Sequence, residues 1–243
     1  MPATDNPVYL SIVIPVFNEA GSIGETLRRI EQFLKLKSWN WEIIVSDDGS
    51  TDETADVVRK IITTRGDSRV KCVACKTNKG KGAAVRAGVL AAKGAYILMT
   101  DADLSAPVKE VDRLLAAFED GFDIALGSRA VRDPACDVQQ SFKRRLAGRV
   151  FNFLVKAIVL KGIGDTQCGF KCFKGAIAHD LFARQKIDGF SFDVEILCLA
   201  QKKGFRIKEV AVMWKEGRTS RIRLVRDSVK MVKELFLLRS LHG

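Results

Sequence analysis

Short apolar runs alternate with amphipathic segments along the first half of the chain. The runs predict five strands: "YLSIVIPVF", "WEIIVSDDGS", "VKCVACK", "AYILMTDAD" and "DIALGSR". Between them, apolar residues recur at helical spacing, as at Ile23, Leu27, Ile30 and Leu34. This alternation predicts an α/β fold in which helices cover a mostly parallel sheet. No internal repeat or low-complexity linker interrupts the pattern, so we expect one domain with a C-terminal appendage.

Polar or glycine-rich residues follow each of the predicted strands. The strand ends read "PVFNE", "SDDGS", "NKGKG", "DAD" and "GSR". Ordinary loops explain scattered polarity, but carboxylates at three strand ends favour a site. In open parallel sheets, ligands bind in the crevice outside the carboxyl ends of the strands. The pattern therefore predicts a ligand site along one edge of the sheet.

Asp101 and Asp103 form a DxD pair after the strand "AYILM". Two carboxylates at one strand end can share a hard cation such as Mg²⁺ or Mn²⁺, which in turn holds a diphosphate. Asp48 can accept a hydrogen bond from a ring N–H of either uracil or guanine. Taken singly, each carboxylate also suits a helix cap or a turn, and for Asp47 and Asp52 that interpretation is at least as good. In combination they predict a nucleotide–metal site.

The stretch "GKGAAVRAG" follows a predicted strand and opens a helix, where backbone N–H groups can bind phosphate. It is neither a P-loop nor a GxGxxG motif, because Val85 stands where the third glycine belongs. A Rossmann oxidoreductase is therefore disfavoured. The alternative interpretation is that the glycines only permit a tight turn and close helix packing.

Composition limits the class of protein. The chain has 243 residues, of which 47% are hydrophobic and five are proline, so a mostly disordered protein is excluded. No apolar run approaches the roughly 18 residues of a membrane-spanning helix, and "MPATDNPVYL" lacks the features of a secretory signal. We expect a soluble cytoplasmic protein or one that is peripheral to a membrane. The six cysteines are then expected to be reduced thiols that act as small hydrophobic residues.

The net charge of +11 is concentrated in two stretches, 141–162 and 221–239. As helices, each would carry a basic stripe opposite a broad apolar face, which is typical of interfacial helices on anionic lipid. The alternative is that the apolar faces pack on the domain. Nucleic acid is disfavoured as a partner, because no pattern of aromatic residues for base stacking accompanies the charge.

Several segments resemble a known enzyme family. The strings "IVIPVFNEAGSI", "IIVSDDGSTDET", "NKGKGAAVRAG" and "DAD" resemble the nucleotide-binding half of inverting family 2 glycosyltransferases with a GT-A fold. Later strings, above all "DTQCGFK", resemble dolichyl-phosphate β-glucosyltransferases and their polyprenyl-phosphate relatives. The resemblance implies a GT-A domain over 1–215, with a nucleotide-sugar half at about 9–130 and an acceptor half at about 131–215. A basic loop and an amphipathic C-terminal helix are expected over 216–243.

The resemblance also implies residues for the donor and the metal. The nucleotide is expected to contact Pro15, Phe17, Glu19, Asp48, Lys81 and Asp101. Asp101 and Asp103 are expected to hold Mg²⁺ or Mn²⁺ beneath the diphosphate. Ser105 stands where related mannosyl synthases have a glutamine near the metal, so its role as a third ligand stays open.

Other residues are implied on the acceptor side. Arg129 and Arg144 match arginines that hold the acceptor phosphate, with a solvated helix face as the alternative for Arg144. Candidates for contact with sugar hydroxyls are Asp165, Gln167 and Asp193. For Asp193 we slightly favour a different role, as the cap of the helix "VEILCLAQ". Arg218 and Arg221 form either a basic lid over the diphosphate or an ordinary surface loop.

The activity implied by the resemblance is metal-dependent, inverting transfer of a hexose to a polyprenyl or dolichyl phosphate. We expect glucose from UDP-glucose, with the enzyme peripheral on the cytoplasmic face of a membrane. GDP-mannose as the donor and a saccharide as the acceptor are the alternatives. A saccharide hydroxyl would need a general base, and Asp193 is the candidate. A binding module without turnover is disfavoured by the intact DxD pair.

Overall fold

The computed structural model describes residues 7–141, 148, 152, 155, 159–160, 162–217 and 224–242. Nine strands lie within these residues: β1 (Leu10–Val16), β2 (Trp41–Asp47), β3 (Val70–Ala74), β4 (Tyr96–Met99), β5 (Ile124–Ser128), β6 (Val138–Gln139), β7 (Lys171–Lys174), β8 (Ile207–Ala211) and β9 (Trp214–Lys215). Seven of them form one sheet in the order β3-β2-β1-β4-β7-β5-β8, and β6 pairs with β9 separately. Only β7 runs antiparallel to its neighbours in the described sheet.

Helices connect the strands and cover both faces of the sheet. Those of the described residues are α1 (Ile23–Leu34), α2 (Thr54–Arg65), α3 (Lys81–Ala91), α4 (Val111–Glu119), α5 (Gly175–Ala183), α6 (Phe192–Lys202) and α7 (Leu224–Leu241). A 3₁₀ turn at Val108–Glu110 leads into α4. The predicted α/β fold with a mostly parallel sheet is confirmed.

Two apolar cores lie on opposite faces of the sheet. One is formed with α1, α2 and α4, and the other with α3, α5, α6 and the end of α7. The apolar positions of α1 explain its docking, since Ile23, Leu27, Ile30 and Leu34 are all fully buried. Because both faces are covered, the ligand site is confined to an edge of the sheet.

The C-terminal helix α7 packs on the domain through one side. Leu235 and Leu238 are buried in the second core, whereas Phe236 and Leu237 are 62% and 50% exposed. Nε2 of His242 donates to Oε1 of the buried Glu195 at 2.6 Å, which anchors the end of the helix. The interpretation that the apolar face packs on the domain therefore holds for Leu235 and not for Phe236. The other basic stretch, 141–162, lies mostly outside the described residues, although its Val155 is buried.

All six cysteines are free thiols. Cys168, Cys172 and Cys198 are buried, and burial raises the pKa of Cys168 to about 11. These three thiols behave as the small apolar residues that the sequence predicts. Within the described residues, no helix has the length and apolar character needed to cross a membrane.

Candidate active site

The polar residues that follow the predicted strands lie along one edge of the sheet. The strands β1 to β5 run in one direction, so their carboxyl ends lie together, and β7 begins at this edge because it is antiparallel. Met99, the last residue of β4, pairs with Lys171, the first residue of β7. The DxD pair follows Met99 after one residue, so Asp101 and Asp103 lie at this edge.

Asp101 forms an ion pair with Lys81, the first residue of α3. The Nζ of Lys81 lies 2.6 Å from Oδ1 of Asp101. Burial opposes ionisation of Asp101, but Lys81, Lys171 and Arg129 outweigh it and hold the pKa of Asp101 below its ordinary value. Burial also opposes the charge of Lys81, whereas Asp101 and Asp193 raise its pKa. Asp101 is therefore a carboxylate at neutral pH, as a metal ligand must be.

A second ion pair lies beside the first and is almost completely buried. Lys171 is 1% exposed, and its Nζ donates to Oδ1 of Asp193 at 2.6 Å and to the carbonyl oxygen of Cys168. Burial raises the pKa of Asp193 above its ordinary value, and Lys171 offsets only part of this effect. No role for Lys171 is predicted from the sequence, although a lysine inside the apolar string "GFKCF" indicates a paired, buried charge.

The cap predicted at Asp193 is wrong. Helix α6 begins at Phe192, and Ser191 occupies its N-cap position, so Asp193 lies inside the first turn. Its carboxylate binds Lys171 across the site, because a buried lysine needs a charged partner. Contact between Asp193 and a sugar hydroxyl stays a prediction, as does its role as a general base.

Asp103 is exposed and is oriented by Ser105. The backbone N–H and the hydroxyl of Ser105 donate to Oδ1 and Oδ2 of Asp103 at 2.9 and 2.8 Å. Leu104 has a φ of 49°, which closes this tight turn. The hydroxyl of Thr26 donates to the carbonyl oxygen of Ala102 at 2.6 Å and ties the turn to α1. Ser105 as a third metal ligand stays a prediction.

Two glycines from distant parts of the chain lie against the DxD pair. A Cβ added at Gly169 would overlap the carboxylate of Asp101, and one added at Gly217 would overlap that of Asp103. Neither glycine has a φ in the left-handed region, so the requirement is for space and not for backbone freedom. The segments before β7 and after β9 therefore form walls of the site.

The oxygen donors of the DxD pair fit a hard divalent cation. Such cations prefer oxygen ligands, and Mg²⁺ in particular is usually bound by one or two carboxylates together with substrate phosphates and water. The part of the chain that the structure describes contains no group of three or more His, Cys, Asp or Glu side chains arranged for a metal. The roles of Asp101 and Asp103 as ligands of such a cation stay a prediction.

Asp48 fixes the glycine-rich loop in front of α3. Its Oδ1 and Oδ2 accept the backbone N–H groups of Lys79 and Gly80, both at 2.9 Å, and burial raises the pKa of Asp48. These two N–H groups are therefore already bound. Gly80 has a φ of 122°, and a Cβ there would overlap the carbonyl oxygen of Asp188. The glycines thus serve a tight turn and close packing, and contact between Asp48 and a base stays a prediction.

The residues after β1 and β2 bind one another. The N–H of Asn18 donates to Oγ of Ser50 at 2.8 Å, and the N–H of Glu19 donates to Oγ1 of Thr54 at 2.7 Å. Asp47 accepts the N–H of Ser50 at 3.1 Å. Asp52 likewise accepts the N–H of Thr54, at 3.0 Å. Asp47, the last residue of β2, and Asp52 thus both bind backbone N–H groups between β2 and the start of α2.

The predicted nucleoside contacts lie close together as a consequence. Pro15 pairs with Ser46 in the ladder between β1 and β2, and the N–H of Asp48 donates to the carbonyl oxygen of Val16 at 2.9 Å. Pro15, Phe17 and Glu19 are partly exposed beside Asp48. Their contact with a nucleotide stays a prediction.

Arg129, directly after β5, forms a bidentate pair with Asp165. The Nε and Nη2 atoms of Arg129 lie 2.7 and 2.8 Å from the two oxygens of Asp165, and its backbone N–H donates at 3.0 Å. Burial opposes both charges, but Asp165 raises the pKa of Arg129, and Arg129 lowers the pKa of Asp165. The Arg129 Cζ atom lies 5.2 Å from the ring centroid of Trp214.

The remaining acceptor-side predictions concern Asp165, Gln167, Arg144, Arg218 and Arg221. Because the carboxylate of Asp165 is bound by Arg129 and by the N–H of Gln167, we infer that it positions Arg129, and a sugar contact stays a prediction. The side-chain nitrogen of Gln167 is buried without a hydrogen-bond partner. It is therefore a donor still available to a sugar or a water. Arg144, Arg218 and Arg221 lie outside the described residues, so their roles stay predictions.

Comparisons with known proteins define both the fold and the family. A sheet of this topology is found in the GT-A glycosyltransferases: glucosyl-3-phosphoglycerate synthase from Mycobacterium tuberculosis, solved with Mn²⁺ and UDP-glucose, matches with a TM-score of 0.70. That match has 17% identity and covers 95% of this chain and 79% of the synthase. The chain belongs to glycosyl transferase family 2, whose sequence model matches residues 11–182. It is therefore a glycosyltransferase with a GT-A fold.

Closer relatives cover nearly the whole chain. The dolichyl-phosphate β-glucosyltransferases of Dictyostelium discoideum and Saccharomyces cerevisiae are each 36% identical to it. These similarities span 96% and 97% of this chain and 74% and 75% of the two relatives. The resemblance implied by the "DTQCGFK" region is thereby confirmed.

Proposed function

We propose that the chain transfers glucose from UDP-glucose to a dolichyl or other polyprenyl phosphate, with inversion at the anomeric carbon. The similarity to dolichyl-phosphate β-glucosyltransferases over at least 96% of the chain carries this proposal. The guanidinium of Arg129, which lies at the edge of the site and is held through Nε and Nη2 by Asp165, is consistent with a phosphate acceptor. A solved neighbour with UDP-glucose and Mn²⁺ supports the choice of donor and metal class.

The donor would bind across the ends of β1, β2 and β4. In this arrangement the nucleoside contacts the partly exposed residues after β1, and the diphosphate lies near Lys81 and the DxD pair. Asp101 and Asp103 would hold Mg²⁺ or Mn²⁺, which supplies positive charge against the diphosphate. Lys81 lies within reach of the same region, because its Nζ already contacts Asp101.

The acceptor phosphate would bind Arg129. An acceptor phosphate is anionic at neutral pH, so its oxygen attacks the anomeric carbon without a general base. The bond from that carbon to the diphosphate breaks as the new bond forms, and an α-linked donor gives a β-linked product. The main task of the protein is then to stabilise the departing diphosphate with positive charge. Arg129 keeps its charge throughout, because Asp165 holds its pKa above the ordinary value.

We place this reaction at the cytoplasmic face of a membrane, with the protein bound peripherally. The net charge of +11 and the exposed Phe236 support attachment to anionic lipid. Six unbonded thiols are consistent with a reducing compartment.

The proposal is tested by transfer of radiolabel into the organic phase. The purified protein is incubated with polyprenyl phosphate, Mg²⁺ or Mn²⁺, and labelled UDP-glucose or GDP-mannose. We expect lipid-soluble label from UDP-glucose alone. Label from GDP-mannose only would assign the alternative donor, and no label from either donor would contradict the proposal.

Metal dependence is tested in the same assay. We expect EDTA to abolish transfer and an excess of Mg²⁺ or Mn²⁺ to restore it. The substitution Asp103→Ala should abolish transfer while leaving the fold intact, because Asp103 is exposed. The matched control is Asp112→Ala, which removes an exposed carboxylate that pairs with Lys37 far from the site. Transfer that survives both EDTA and Asp103→Ala would contradict the metal assignment.

A further inference from the structure

Glu209 of β8 lies behind Arg129 and takes no part in the reaction described above. Its Oε1 accepts the hydroxyl of Ser128 at 2.8 Å and the N–H of Asp165 at 2.9 Å. Its Oε2 accepts the N–H of Gly164 at 2.7 Å. One carboxylate therefore binds the end of β5 and a segment that is more than 40 residues away in sequence from β8.

These hydrogen bonds converge on the residue that holds Arg129. Asp165 receives its backbone support from Glu209, and its side chain accepts Nε and Nη2 of Arg129. Arg129 itself directly follows Ser128, the third partner of Glu209. The Glu209 carboxylate thus fixes the backbone next to Arg129 and also Asp165, which orients the guanidinium.

Steric packing reinforces this arrangement. A Cβ at Gly164 would lie 3.3 Å from Oε1 of Glu209, so the carboxylate fits closely against the turn. Trp214 covers a face of the Arg129 guanidinium. Since Nε and Nη2 are bound to Asp165, the Nη1 edge of Arg129 would be the edge that meets an anion.

We propose that Glu209 is a positioning residue for the acceptor phosphate, acting through Asp165 on the orientation of Arg129. The inference rests on the proposed function, in which Arg129 binds that phosphate. A glutamine at position 209 would present an N–H₂ group to donors that need an acceptor, so the turn around Asp165 would shift. The guanidinium would then lose its alignment while keeping its charge.

The test compares steady-state kinetics of Glu209→Gln with those of Glu42→Gln. Glu42 is the control, because its carboxylate also accepts a serine hydroxyl and a backbone N–H, from Ser11 and Lys93, and pairs in addition with Lys71, but at the opposite edge of the sheet. We expect Glu209→Gln to raise the KM for polyprenyl phosphate about tenfold, the lower end of the effects seen when a supporting partner of a metal ligand is removed. The KM for UDP-glucose should be unchanged, and Glu42→Gln should alter neither KM.

A double-mutant cycle with Arg129→Ala separates positioning from general loss of stability. If Glu209 acts through Arg129, Glu209→Gln should have no further effect on the acceptor KM in the Arg129→Ala background. Equal effects in both backgrounds, or equal rises in both substrate KM values, would overturn the inference. Should Glu209→Gln fail to fold, Ser128→Ala removes one partner and should raise the acceptor KM in the same direction. Transfer by the unmodified chain in this assay tests the proposed function separately.

Discussion

The site contains buried charges that are stable only as pairs. Lys81 binds Asp101 at 2.6 Å, and Lys171 binds Asp193 at the same distance. In the second pair both side chains are less than a tenth exposed. An isolated buried charge would cost several kcal/mol, whereas alternating signs leave this region nearly neutral. The pair with Lys81 therefore holds the pKa of Asp101 below its ordinary value, and both pairs fix the positions of the carboxylates before substrate binds.

We predict that Lys171→Met destabilises the protein by about 3–5 kcal/mol, because it leaves Asp193 buried without a partner. Combining it with Asp193→Leu should recover much of the loss. The free energy of unfolding in urea measures both effects. The control is Lys174→Met on the same strand, whose more exposed pair with Asp123 should contribute no more than about 1 kcal/mol. Equal losses from the two lysine substitutions would contradict the argument.

The space around Asp101 gives a second prediction at the residue scale. Gly169→Ala should lower kcat/KM about 100-fold, because the new methyl group would overlap the Asp101 carboxylate and displace it by about an ångström. Gly24→Ala is the control, since a Cβ there meets only Ile61 at 3.8 Å. That variant should keep full activity and gain about 0.5–1 kcal/mol of helix stability. Full activity of Gly169→Ala would show that Asp101 does not need its observed position.

At the scale of elements, the five early strands and their helices can be predicted from the sequence, because the local spacing of apolar residues determines them. Each strand is a short apolar run, and α1 carries its apolar residues at strict helical spacing. Asp101 and Asp103 could be found from the sequence because they adjoin such a strand. The position of β7 could not, because pairing with β4 and β5 depends on contacts distant in sequence.

The same limit explains the wrong prediction of a cap at Asp193. The partner of Asp193 is Lys171, which local sequence does not reveal, so a helix cap was the nearest available explanation. Glu209 and Asp165 are likewise joined across 44 residues. Local chemistry therefore predicts the residues that face the ligand more readily than those that position them.

The two sides of helix α7 give a prediction at this scale. Leu235→Ala should cost about 2–5 kcal/mol of unfolding free energy, because the side chain is fully buried. Phe236→Ala, at the adjacent position, should change stability by no more than about 0.5 kcal/mol but weaken sedimentation with lipid vesicles. Unchanged vesicle binding by Phe236→Ala would remove this side of α7 from the proposed membrane contact.

At the scale of the whole molecule, the site cations among the described residues do not account for the net charge of +11. Its cations Lys81, Lys171 and Arg129 are each paired with an aspartate. Most of the surplus belongs to the basic stretches 141–162 and 221–239. Apart from Arg144 and Arg221, which are predicted to serve the site, we expect this surplus to serve long-range attraction to an anionic surface.

We therefore predict that binding to vesicles containing phosphatidylserine falls steeply as NaCl rises from 0.1 to 1 M, because the screening length shortens from about 10 Å to about 3 Å. Vesicles of phosphatidylcholine alone are the control and should bind weakly at every salt concentration. Cosedimentation measures the bound fraction in both series. If binding to the anionic vesicles proved insensitive to salt, apolar insertion near Phe236 would dominate and the basic stretches would have another role. If transfer to polyprenyl phosphate in those vesicles fell in parallel with binding, the basic surface would be what brings the site to its lipid acceptor.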